Sequence, residues 1–175
     1  MTRMLPLPIR VTLSLVVVVA AITDLRSRRI PNWLTLPAIP VGVAAQTIYG
    51  DGFWQGLLGA CGGFLALLFL FAVGAGGAGD VKLFTVVGSF VGIRNLVEVF
   101  VLVALLGGVA AVFVALRAGA LGRVLRNISS IFMSLGRGRW DEFRERSDLN
   151  RPGALSLAYG AVIAAGSLLF LWYPR

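Results

Sequence analysis

Two aspartates stand where an apolar chain has little use for them. Asp24 closes an uncharged run in Ala21-Ile22-Thr23-Asp24-Leu25-Arg26, and Asp80 follows a glycine cluster in Gly76-Gly77-Ala78-Gly79-Asp80-Val81-Lys82. A carboxylate at or near membrane depth is costly to keep, so it marks a functional site before a structural one. Two close carboxylates do not easily both ionise; they titrate as a pair. The ionised member of such a pair can take a proton from water, while the protonated member hydrogen-bonds the carbonyl under attack. Other chemistry is scarce. The chain has no histidine and one cysteine, Cys61. That excludes Cys/His zinc sites, Cys-His nucleophiles, Ser-His-Asp triads and an internal disulfide. No metal and no cofactor is expected.

The elements that must position these acids are helices in a bilayer. Of 175 residues, 58% are hydrophobic, which reads as an all-α integral membrane protein with a single domain over 1–175. A span needs about 20 apolar residues. Residues 30–50, 52–79, 99–116 and 152–174 are uncharged and long enough. The run 11–23 needs extension back past Arg10 to about Met4, with Arg10 reaching the interface. Arg3 ahead of an apolar core is also the pattern of a cleaved signal peptide; the direct run into Asp24 and a basic cluster favours a retained span. A helix from Asp80 to Ile93 would cover only about 21 Å at 1.5 Å per residue, against a hydrocarbon core of about 30 Å.

Charge decides whether that short segment counts. Arg26, Arg28 and Arg29 follow the first span, and a second basic cluster runs from Arg117 to Arg151. Both belong on the cytoplasmic side, so an even number of crossings separates them. Keeping the short segment satisfies this and gives about six transmembrane helices. Only Arg3, Arg10, Arg94 and Arg175 then lie outside. Asp24 and Asp80, two crossings apart, fall on the same cytoplasmic side. The net charge of +8 is thereby a topology signal, and no nucleic acid is expected. Residues 118–151, between helices 5 and 6, form a basic cytoplasmic segment. Leu121, Val124, Leu125, Ile128, Ile131, Phe132 and Leu135 recur there at helical spacing, as in an amphipathic helix on the inner leaflet.

Each motif has a plainer reading beside the chemical one. Gly77 and Gly79 allow close backbone approach by a substrate, but Asp80 also suits the N-cap of helix 4. Lys82 could hold Asp80 ionised or anchor its helix at the interface, and the anchor is favoured. Asp24 could pair with Arg28 on the surface. Pro31-Asn32 reads as a turn into helix 2. Cys61 reads as a small buried side chain. Trp33, Trp54 and Trp172 fall near segment ends, as an aromatic belt would place them. Gly59, Gly62, Gly63, Gly107 and Gly108 suit close helix packing, within one chain or in a homodimer.

Taken together, Asp24, then Ile30-Pro31-Asn32, then Gly77-Ala78-Gly79-Asp80-Val81-Lys82 resemble the type IV prepilin peptidases, membrane aspartic proteases of the GxGD class. Leu157-Ala158-Tyr159-Gly160 is similar to that family's Pro-Tyr-Gly element, with Ala158 in place of the proline. The resemblance implies Asp24 and Asp80 as the catalytic pair, with Gly77, Gly79, Lys82, Pro31 and Asn32 near the substrate. It implies removal of a short basic leader from a prepilin or pseudopilin at the cytoplasmic face of the inner membrane, just before an apolar helix. Larger members carry an N-terminal domain with paired CxxC motifs and methylate the new N-terminus. This chain resembles the short forms that serve Flp/Tad-type pili, and no methyltransferase activity is expected. Three alternatives stand beside this. A presenilin-like intramembrane protease would place its first aspartate in a Tyr-Asp pair, whereas Thr23 precedes Asp24. A small transporter would use the acids as a proton relay, with Glu98 the only other acid on the path. A structural membrane subunit would need neither acid.

Overall fold

The computed structural model describes residues 5–72, 77–117, 119 and 158–173. Among them are five helices and no strand: α1 (Leu7–Ser27), α2 (Asn32–Tyr49), α3 (Phe53–Ala72), α4 (Ala78–Arg117) and α5 (Tyr159–Trp172). The basic segment 118–151 and its amphipathic stripe lie outside the described residues, apart from Gly119.

The sequence separates two spans between Asp80 and residue 116; the structure places both in α4. A straight helix would hold Phe84 and Phe100 about 24 Å apart. Their ring centroids are instead 6.0 Å apart, so the element folds back on itself. The reversal is at Gly92, whose φ of 74° and ψ of 163° belong to a region open essentially to glycine alone. Carbonyls freed by the break are taken up by side chains: Gln46 Nε2 donates to Phe90 O at 2.6 Å, and Asn95 Nδ2 to Val91 O at 2.8 Å. Five elements therefore supply six helical limbs. By length and composition, α1 and α4 are long and apolar enough to cross a membrane.

The first limb of α4 is the centre of the bundle. Every residue from Leu83 to Gly92 is buried, the pattern of a helix surrounded on all sides. This gives the short segment a role that length alone does not reveal. Helix α3 packs against α4 through glycine: a side chain at Gly59 would land on Gly88 O, and one at Gly88 on Gly59 O. With that face turned inward, Cys61 is exposed on the outer side of α3, not buried as the sequence suggests.

Helix α1 buries Ile9, Leu13, Val17, Ala20 and Asp24. These recur every three or four residues, so they form one stripe, and Asp24 is its last member. On α2 the buried stripe is Thr35, Ala38, Gly42 and Gln46; Gly42 admits Ser89 and Phe90 to close range. Outer faces are apolar. Leu15, Leu25, Leu58, Leu65, Leu105 and Val109 are all exposed. Trp33, Trp54 and Trp172 are exposed too, each within two residues of a helix end.

Candidate active site

Four helix ends, the last turn of α1 and the first turns of α2, α4 and α5, meet at one end of the bundle. Helix α1 stops because Arg28 adopts a left-handed conformation, φ 53° and ψ 31°, with its N–H returned to Asp24 O at 2.8 Å. A C-terminal residue in this conformation turns the chain sharply. The turn brings Ile30 back towards Asp24 and leads to Pro31, whose extended ψ of 140° makes it the N-cap of α2; the sequence reads Pro31-Asn32 as a turn into this helix. Asn32 is the first residue of that helix.

Asp24 is 7% exposed, and its Oδ2 has no hydrogen-bond partner among the described residues. A buried carboxylate oxygen left this way is costly. Asp80 is half-buried in the first turn of α4. It is not the N-cap of that helix, as the plainer sequence reading has it. Its Oδ2 reaches back to accept a hydrogen bond from Gly77 N–H at 3.0 Å, the return half of a capping box. Asp24 and Asp80 interact electrostatically, and so do Asp80 and Tyr159.

The other residues singled out in the sequence gather at the same end. Lys82 Nζ donates to Asn32 Oδ1 at 2.8 Å, joining the two motifs across α2 and α4. Gly77 is exposed and touches Asp80. Gly79 faces Ile30, whose Cβ lies 3.3 Å from where a side chain at Gly79 would begin. Pro31 and Asn32 line an open groove of about 450 Å3 with Thr23, Ser27, Arg29 and Trp33.

Two contributors are not identified by reasoning on the acids alone. Ile30, 9% exposed, lies between Gly79 and Gly160. Gly160, at the start of α5, lies directly against Asp24 and Ile30. Tyr159 packs on Gly107, which brings the second limb of α4 back to this end. The Tyr159-Gly160 pair is visible in the sequence, but its contact with Asp24 spans 136 positions and has no local signal. Among the described residues, no group of His, Cys, Asp or Glu could hold a metal ion.

Residues 11–112, more than half of the chain, match the type IV leader peptidase family. The chain belongs to this family. It is 40% identical over 111 residues to the prepilin leader peptidase/N-methyltransferase of Bacillus subtilis (strain 168), a match that covers 60% of this chain and 44% of that protein. The chain thus spans less than half the length of the curated relative it matches. No solved structure matches. The matched region holds Asp24, the Ile30-Pro31-Asn32 turn, Asp80 and Lys82, and ends short of α5. Membership therefore does not depend on Tyr159 or Gly160.

Proposed function

We propose that this chain is a single-domain membrane aspartic endopeptidase that removes the short basic leader of type IV prepilins, with those of Flp/Tad-type pili as the first candidates. The observation that carries this reading is that Asp24 and the Gly77-Ala78-Gly79-Asp80 turn lie at one end of the bundle, linked through Ile30, which packs between Gly79 and Gly160, with Lys82 bonded to Asn32 beside them. Family membership supports the reaction class.

In this mechanism one carboxyl of the pair takes a proton from water. The water oxygen attacks the scissile carbonyl, and the other carboxyl, still protonated, donates a hydrogen bond to the carbonyl oxygen. Collapse of the tetrahedral adduct passes a proton to the leaving amine and breaks the C–N bond. Gly77, exposed beside Asp80, leaves room for an extended substrate strand. The groove lined by Pro31, Asn32 and Trp33 would receive the residues flanking the cut.

The six helical limbs are read as six crossings of the inner membrane, multi-pass, with the apolar outer faces against lipid. The positive-inside rule places Arg26, Arg28 and Arg29, and so the site, at the cytoplasmic face. A proton relay would want acids spaced along a path, whereas these two share one end.

The test is co-expression of the wild-type chain with a prepilin from the same genome, followed by mass analysis of the pilin. The expected product begins just before the apolar helix and has lost its leader. An intact prepilin at normal membrane levels of both proteins would count against the substrate assignment.

A further inference from the structure

We infer that Gly160 is a positioning residue for the Asp24 carboxyl; this rests on the peptidase reading above. The evidence is steric. A side chain at Gly160 would begin 2.8 Å from Asp24 Oδ2 and 2.9 Å from Ile30 Cδ1. Both are closer than a side-chain carbon normally tolerates, so one or both must move. Asp24 is buried on the last turn of α1, and its Oδ2 has no polar partner among the described residues. The space that a side chain at Gly160 would take is thus the space in which this oxygen lies. Ile30 closes the other side of the same space, with its Cβ against Gly79 and its Cδ1 against Gly160.

The start of α5, the GxGD turn and the Ile30 loop therefore form one seat. Its shape sets where the Asp24 carboxyl stands relative to Asp80. Gly160 is helical and its φ is not positive, so backbone conformation does not require glycine here. Alanine would be the better helix former. The requirement is space, and the group that occupies the space is a proposed catalytic carboxyl.

The experiment uses the purified full-length chain in lipid nanodiscs, with prepilin cleavage and thermal unfolding as separate readouts. Gly160→Ala is expected to lower kcat about 10- to 100-fold, as a misplaced catalytic group does, with KM changed less than about two-fold. The double variant Ile30→Val/Gly160→Ala moves one methyl group from residue 30 to residue 160, so packing volume is kept. It is expected to recover part of the lost Tm, through relief of the Ile30 contact, and to remain slow, because Asp24 is still displaced. In an Asp24→Ala background, Gly160→Ala is expected to lower Tm less than in wild type, because the conflicting carboxyl is gone and only the Ile30 contact remains. Recovery of wild-type kcat by the double variant would overturn the proposal and reduce Gly160 to a packing partner of Ile30. An equal loss of Tm from Gly160→Ala with and without the Asp24 carboxyl would overturn it too. If wild type leaves prepilin uncut, the peptidase reading fails, while the unfolding comparison still reports whether Gly160 and Asp24 compete for the same space.

Discussion

At the scale of single residues, Asp80 combines a capping contact with the catalytic role proposed for it, two readings that sequence reasoning treats as rivals. It accepts the Gly77 N–H, which stabilises the start of α4, and it stands within electrostatic reach of Asp24. An amide at this position keeps an acceptor oxygen for Gly77, so Asp80→Asn separates the capping role from the proposed proton-transfer role. Lys82 is different. Its sequence reading as an interface anchor misses the bond to Asn32, because residues 50 positions apart give no local sign of contact. That bond is exposed and should contribute little to stability, about 1 kcal/mol or less. Its expected effect is on alignment. Lys82→Met and Asn32→Ala should each reduce kcat/KM several-fold, and the double variant should lose no more than the worse single one. Fully additive losses in that cycle would mean that the two side chains act separately.

At the scale of elements, most helix positions are legible because uncharged runs of sufficient length mark them. Asp24 is legible as an unusual acid, and the stripe of Ile9, Leu13, Val17 and Ala20 explains why it points inward. The reversal in α4 is less legible. Gly92 is one glycine among 22, and only tertiary contact shows which of them breaks a helix and reverses the chain. The partners Gln46 and Asn95 come from 46 positions before the break and three after it. The Gly59–Gly88 contact is similar: the sequence suggests close packing but does not name the partner. Alanine at Gly88 would meet the Gly59 carbonyl oxygen, a backbone atom that cannot rotate away. Overpacking of this kind costs about 1–3 kcal/mol, which outweighs the gain in helix propensity of at most about 1 kcal/mol. Gly88→Ala should therefore lower the thermal midpoint in nanodiscs, while Gly108→Ala, with open space around it, should not. Equal midpoints for the two variants would contradict the packing argument.

At the scale of the whole molecule, the two ends of the bundle are chemically unlike. One end gathers Asp24, Asp80, Lys82 and Arg26 to Arg29. The other holds Asp51 and Arg94, 3.8 Å apart and both exposed, with Arg10 stacked 4.2 Å over Trp172. Charge bias alone predicts that the first end faces the cytoplasm. Single cysteines at Ser27 and Asp51, in a Cys61→Ser background, would test this with an impermeant thiol reagent. Position 51 should label in intact spheroplasts, and position 27 only after the membrane is opened. The reverse pattern would place the acids on the outer face and remove the proposed access to leader peptides.

The central claim is that Asp24 and Asp80 act together on a water molecule. Its most direct test is the rate of prepilin cleavage by purified wild type, Asp24→Asn and Asp80→Asn at matched protein levels and matched thermal midpoints. Each amide keeps size and removes the titratable proton. The account predicts that wild type cuts and each single variant loses about 10²- to 10⁴-fold in rate, the range for a general acid or base. Either variant cutting at near the wild-type rate would contradict it.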